Sequence, residues 1–444
     1  MDELLTFTLE ALAVVYVLAT TFLRKRRLSS DPFHPRFVYR YLVCLTLLFP
    51  IMFGRAEMSE ASKQAVLLTC LIFLVALDGV DLFFGGGAPD AHAPLPTGEH
   101  DAFYARTFLV LYVAGWLWRG YALSTGLLYG TFLATQLEVE SYGNLVGQLN
   151  GLGLLALMGY LVFVNSSSFT KIAVAMIAGE LIWALISGSK SAVFHVVLPA
   201  LLVAFRRDWI KVRARNVLAA GVFLVVAIQL SFIAVSAYRL GVHQSIASGQ
   251  GLSAGAVLDG LKSSISSPTQ DAGESTGTGL MDRLNWASFY GALLERPDLW
   301  RQPWYGDSYF AIVTWWIPRV FWAEKPDVSI GAWYGEAVLD WDFGARSEGA
   351  ATIWGDALLN FGILGALSIS VVWLLLVQFV YRNLGRHGKW GLLFLAMIYM
   401  RLLLGLEQNM AAPVVAIQQQ CLILLLLYFL LRFMARLSLR SPYR

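Results

Sequence analysis

Long uninterrupted apolar runs dominate this chain, and they leave it few ways to fold. A helix needs about 18–25 apolar residues to cross the hydrocarbon layer. Inside lipid every backbone N–H and C=O must find its partner within the protein, which leaves helices and closed barrels as the spanning structures. Runs of helical length lie at 4–23, 37–54, 65–84, 105–121, 145–164, 172–188, 191–206, 216–238, 356–381, 390–407 and 413–432. They predict an all-α polytopic membrane protein of about eleven transmembrane helices. Composition agrees: 57% of the 444 residues are hydrophobic and 14% are charged, where a soluble chain carries about a quarter. The run at 191–206 is short and holds Pro199, and 122–144 is amphiphilic enough to be a half-helix or a lip at the membrane surface.

Basic residues fall in clusters between the runs: Arg24 to Arg27; Arg206, Arg207, Lys211, Arg213 and Arg215; Arg382, Arg386 and Lys389; Arg432, Arg436, Arg440 and Arg444. One threading puts all four on the same side. Lys and Arg are translocated poorly, so that side is the cytoplasm. The N-terminus is then expected outside and the C-terminus inside. The net charge of +3 is spread over these clusters and makes no nucleic-acid patch. The acidic start, Met1 to Glu3, is unlike the basic leader of a cleavable signal, so the first run is expected to be a retained helix. Cys44, Cys70 and Cys421 all lie in apolar segments, and neither a disulfide nor a metal site is expected of them.

This threading divides the chain into an N-terminal bundle (1–238), a long outer loop (239–355) and C-terminal membrane helices (356–444). The loop begins with a Gly- and Ser-rich stretch, Ile246 to Gly279, read as flexible. From Gly279 to Leu294 the apolar residues Leu280, Leu284, Ala287, Tyr290 and Leu294 recur at helical spacing and predict an amphipathic helix. Trp300 to Trp354 then holds eight of the fifteen tryptophans. The apolar piece 308–322 contains Pro318 and Arg319, and counting it as a span would put the Arg382 cluster outside. It is read as an interfacial or re-entrant element.

Several residues here have the chemistry of a site. Lys190, in Ser187-Gly188-Ser189-Lys190-Ser191, is a cation at an outer hairpin, against the charge bias. It reads either as a group aimed at a diphosphate at the bilayer surface or as a snorkelling lysine at a helix end. Arg239 follows a spanning run, and Arg283 shares a helix side with Trp286, Ala287 and Tyr290; each is a site cation or a member of an ordinary salt bridge. The densest stretch runs from Trp315 to Pro326, with Trp316, Arg319, Trp322 and Lys325. Rings beside cations suit sugars and phosphates, and equally a plain aromatic belt at the headgroups. Glu336, Asp340, Asp342 and Glu348 supply acids, and Asp356 lies four residues before Asn360, on one helix face. Asp356 is open to two readings, general base or helix N-terminal charge. Arg119, Glu180, Arg401 and Glu407 are costly in lipid and are expected to face the protein interior. No phosphate-binding Gly-Lys-Ser/Thr loop, zinc spacing or nucleophile elbow occurs in the sequence.

The order of Gly188-Ser189-Lys190-Ser191, Tyr238-Arg239, Arg283, Ile317-Pro318-Arg319 to Trp322, Lys325-Pro326, and Gly355-Asp356 to Asn360-Phe361-Gly362 resembles the Wzy-type O-antigen and exopolysaccharide repeat-unit polymerases, including the enterobacterial common antigen type. The resemblance spans roughly 185–410. Many members have Arg where this chain has Lys190, and often Glu where it has Asp356; Lys gives up the bidentate fork of Arg. The resemblance implies a membrane glycosyltransferase of the GT-C type in the bacterial inner membrane, acting at its periplasmic face without metal or nucleotide. Donor and acceptor would be glycans on undecaprenyl diphosphate, with a chain-length regulator and a flippase as partners. It implies Arg283, Arg319, Asp356 and Glu348 as catalytic residues, and Lys190, Arg239, Lys325, Trp316, Trp322 and Asn360 as substrate-binding ones. An O-antigen ligase is the nearest alternative, with His243 the histidine of the loop. A transporter would instead spread charged residues through its helices.

Overall fold

The computed structural model describes residues 2–23, 31–84, 98–124, 149, 151–164, 171–186, 192–210, 284–317, 321–322, 324–325, 328–340 and 351–439. All regular structure among these residues is helical. In chain order the longer helices are α1 (Asp2–Leu23), α2 (Pro35–Met52), α3 (Glu60–Phe83), α4 (Asp101–Ser124), α5 (Leu152–Phe163), α6 (Lys171–Ile186) and α7 (Ala192–Arg206). Loop helices α8 (Trp286–Leu294), α9 (Pro297–Trp300), α10 (Asp307–Thr314) and α11 (Gly331–Leu339) follow. Then come α12 (Thr352–Leu384), α13 (Gly388–Leu404) and α14 (Ala411–Leu439). Among the described residues, six are long and apolar enough to cross a bilayer: α1, α2, α3, α12, α13 with its last turn, and α14. The protein is therefore helical and membrane-type. The expected runs 122–144 (beyond Ser124) and 216–238 lie outside the described residues.

The chain forms two compact units, Met1–Pro96 with Leu284–Arg444, and Thr97–Arg283. In the first, α3 is central and packs on α1, α2, α8 and α12. Ser59 caps it, its Oγ accepting the Ser62 N–H at 3.3 Å. His34 caps α2, its Nδ1 accepting the Arg36 N–H at 3.3 Å, and Pro35 holds the first helical position. Between Cys44 and Leu48 α2 widens into a π-turn, just ahead of Pro50. Pro50 has no N–H to donate, and a wider turn is one way for a helix to absorb that gap.

The largest departure from the expected spans is in α12. Hydropathy reads one helix over 356–381; the structure breaks it at Gly362, with φ 66° and ψ −160°. Only glycine takes that conformation readily. Residues 352–360 before the break are all buried. Residues 363–384 after it are long enough, at about 1.5 Å per residue, to cross the membrane alone. The amphipathic loop helix is also shorter than expected: it starts at Trp286 with Asn285 as its cap, leaving Leu284 outside.

In the second unit, α4 packs closely on α5 through glycines. A Cβ on Gly159 would meet the Phe108 ring at 2.3 Å, and one on Gly153 would lie 2.5 Å from Glu180 Oε1. Arg119 and Glu180 form a buried two-pronged ion pair at 2.6 and 2.8 Å, as their expected inward placement requires. The Arg119 guanidinium lies 4.6 Å from the Trp183 ring centroid. Arg207 donates to the carbonyl of Val164 at 2.8 Å and to that of Val162, closing the end of α5.

Candidate functional site

Of the ten residues expected to form a site, Lys190, Arg239, Arg283, Arg319 and Glu348 lie outside the described residues, as does His243. The other five belong to the first unit. They divide between a buried polar knot and an aromatic loop segment.

The knot forms where the buried first part of α12 meets the loop and the final helix hairpin. Asp356 and Asn360 share a face of α12. Asp356 Oδ1 accepts the Ser308 hydroxyl at 2.7 Å and the Asn360 amide at 3.0 Å. Its Oδ2 accepts the Met410 backbone N–H at 2.9 Å, at the start of α14. Asn360 also donates to Ser308 Oγ at 2.7 Å and accepts the Gly306 N–H at 3.1 Å. The helix break would orphan the carbonyls that precede it, and the loop fills the gap. The N–H groups of Trp304 and Tyr305 donate to Leu359 O and Asn360 O at 2.9 and 3.0 Å. One carboxylate thus ties the loop, a spanning helix and the last hairpin together.

Asp356 and Asn360 are both fully buried. With both oxygens engaged, the Asp356 carboxylate pins these segments together in this structure. Of its three hydrogen-bond donors, Ser308 and Met410 come from other segments and Asn360 from its own helix. Tyr309 Oη is buried close to this carboxylate without a well-formed hydrogen bond. Burial and the neighbouring charge hold its phenol well above the usual tyrosine range. Burial pushes Tyr290, on the loop helix α8, up to about 12.

Lys325, expected to contact substrate, is engaged here by the protein's own backbone. Its ammonium is buried and donates to the carbonyls of Trp315 and Ile317 at 2.9 and 3.0 Å. These carbonyls follow the end of α10, where a cation is favoured by the helix dipole. Trp316 is exposed, and Trp322 is half-buried with its ring edge-on to Phe310 at 6.0 Å. Trp304 and Trp333 meet edge-to-face at 4.7 Å.

A second polar cluster was not among the expected sites. Arg36 and Arg40, four apart on α2, face Asp78 and Asp81, three apart on α3. Asp78 Oδ1 accepts Arg36 Nε at 2.8 Å and Arg40 Nη2 at 2.7 Å, while Oδ2 accepts the Tyr16 hydroxyl at 2.6 Å. Arg36 Nη1 reaches Asp81 Oδ2 at 2.6 Å, and His34 Nε2 stands 3.7 Å from Asp81 Oδ1. Tyr381 on α12 donates to Asp31, and Tyr399 on α13 donates to the Phe33 carbonyl at 2.9 Å. All four members of the Arg–Asp core are buried. The signal was present in the sequence: two basic residues at helical spacing near the start of one apolar run, and two acids near the end of the next.

Compared with protein-family models, with curated proteins and with solved structures, the chain matches none. The assignment of function therefore rests on the residues themselves.

Proposed function

We propose that this chain is a membrane glycosyltransferase of the repeat-unit polymerase type, joining lipid-linked oligosaccharides at the outer face of the bacterial inner membrane. The observation that carries the reading is the Asp356 knot. It fastens a loop segment rich in aromatic rings to two spanning helices, and a lipid-linked glycan would present its sugars at such a junction. Rings stack on the C–H faces of sugars, and they do so best when rigidly held.

In this reading the acceptor hydroxyl attacks the anomeric carbon of the donor glycan. The bond to the diphosphate breaks, and its electron pair leaves with the lipid diphosphate. Arg283, Arg319, Lys190 and Arg239 compensate the developing negative charge, as preorganised cations do in other group transfers. The hydroxyl proton goes to a carboxylate. With Asp356 enclosed, Glu348 takes that part, and Asp356 and Asn360 serve as positioning residues.

Purified protein in vesicles, given lipid-linked repeat units and a strong chelator, should produce a ladder of polymer. Arg283→Ala and Arg319→Ala should abolish the ladder at normal protein levels. Activity lost to chelator and restored by magnesium or manganese would overturn the metal-free mechanism. The buried Arg36–Asp78–Arg40–Asp81 cluster favours a second reading, a transporter of lipid-linked glycan, because it places charge within the helices. The same vesicles separate the two: transport would move glycan across the bilayer without lengthening it.

A further inference from the structure

The loop helix α10 has two unlike faces. Ser308, Ala311 and Thr314, three apart, are buried, and the helix packs on α12 and α14. Phe310, Val313 and Trp316, also three apart, point outward, with Val313 and Trp316 each 65% exposed. Tyr305 and Phe321 flank this ridge at 82% exposure. An apolar ridge of this size in water would be a liability.

The surface the ridge adjoins indicates what covers it. Below the Gly362 break, α12 exposes Ile363, Leu364, Val371, Val372, Leu375 and Phe379, the lipid-facing stripe of a helix long enough to span. Phe361 stands at the top of that stripe. Its ring meets Tyr309 of α10 at 5.4 Å, and a Cβ on Gly306 would touch it at 3.6 Å. The Tyr309–Phe361 contact therefore sets the outward ridge of α10 beside the lipid-facing surface of α12, with the exposed Asp307 at the end of the ridge where α10 begins. The inner face, meanwhile, is fixed by the Ser308–Asp356 hydrogen bond at 2.7 Å, so the ridge cannot roll inward to hide.

We propose that α10 and the residues flanking it lie in the plane of the bilayer interface, with Phe310, Val313, Trp316 and Phe321 seated among the lipids of the adjoining leaflet. Tryptophan and tyrosine favour that depth, where an apolar ring meets a wet headgroup layer. In-plane helices bury an apolar face by several ångströms into the boundary. Trp316 is then a lipid anchor rather than a sugar platform, and Trp322, turned toward Phe310, remains the ring of this segment nearer the protein.

The test uses the full chain in lipid nanodiscs, with Cys44, Cys70 and Cys421 replaced and a single nitroxide introduced by Phe310→Cys or Val313→Cys. Both positions are exposed, so the label displaces no core side chain. Collisions with dissolved oxygen, which concentrates in lipid, should exceed collisions with a water-soluble nickel chelate several-fold at both positions. At Asp298→Cys, an exposed site on α9, the order should reverse. Dominance of the nickel chelate at 310 and 313 would overturn the lipid contact. Spin–spin broadening between labels would overturn it too, by showing that a second copy covers the ridge. Neither result touches the polymerase reading, which stands or falls on the vesicle ladder.

Discussion

Two polar clusters sit inside the first unit, and they solve the same problem in opposite ways. The Arg36–Asp78–Arg40–Asp81 cluster neutralises charge with charge, two guanidiniums against two carboxylates. The knot at Asp356 holds one carboxylate with neutral donors only: a hydroxyl, a carboxamide and a backbone N–H. Burying an ion costs several kcal/mol, and the cost is offset only while its partners remain. The ionic cluster joins α1, α2 and α3 through Tyr16 and Asp78, and separately Tyr381 ties α12 to Asp31 ahead of α2. The knot joins a loop to helices through neutral donors, which carry no charge of their own into the interior.

The largest loss is expected at Asp78, whose Oδ1 serves both arginines. Asp78→Ala leaves Arg36 and Arg40 buried without their shared carboxylate, a loss of about 3–5 kcal/mol. The variant is expected to be nearly absent from membranes on an immunoblot. Replacing Asp78, Asp81, Arg36 and Arg40 together with apolar residues of similar size should restore much of the protein, because none of the four charges is then left buried without its partner. A quadruple variant as poor as the single one would show that the cluster serves more than charge balance.

Asp356→Asn is the matching change in the knot. One carboxylate oxygen becomes an NH2 facing a donor, which costs about 1–3 kcal/mol for the unsatisfied groups. The expected result is a protein present at normal level whose 307–325 segment is cut faster by protease while the spanning helices stay protected. Loss of the whole protein would place the knot in the same category as the ionic cluster.

Gly362→Ala should cost about 1–3 kcal/mol, since a side chain there must hold a conformation that non-glycine residues avoid. Open space surrounds the position, so the loss would come from the backbone alone. It is expected as a lowered midpoint temperature for retention of the monodisperse peak after heating. Lys325→Met is the mildest change, about 1 kcal/mol, because it removes donors from two carbonyls at a helix end. It should leave α12 unaffected and raise hydrogen exchange at residues 315–317 only.

Local sequence legibility followed the range of the forces involved. The apolar runs at 4–23, 37–54, 65–84 and 390–407 correspond to α1, α2, α3 and α13 with its last turn, with ends moved by a few residues. Apolar length is a property of a continuous segment, and the bilayer selects for it directly. The inward placement of Arg119 and Glu180 was readable for the same reason, since a charge in an apolar run has nowhere else to go.

Tertiary structure decided the rest. Whether Asp356 is a base or a pin depends on Ser308 and Met410, 48 and 54 residues away along the chain, and no local pattern encodes that meeting. Lys325 looks like a free cation until the carbonyls of Trp315 and Ile317 fold over it. The break at Gly362 is invisible to hydropathy, because both halves of α12 are apolar. It becomes tolerable only when the N–H groups of Trp304 and Tyr305 reach the carbonyls it exposes. The sequence by itself determined which segments could leave water. Which polar groups could follow them was decided only by the donors and acceptors that folding brought alongside, because a buried hydrogen bond needs a partner within about 3 Å and sequence spacing alone does not supply one.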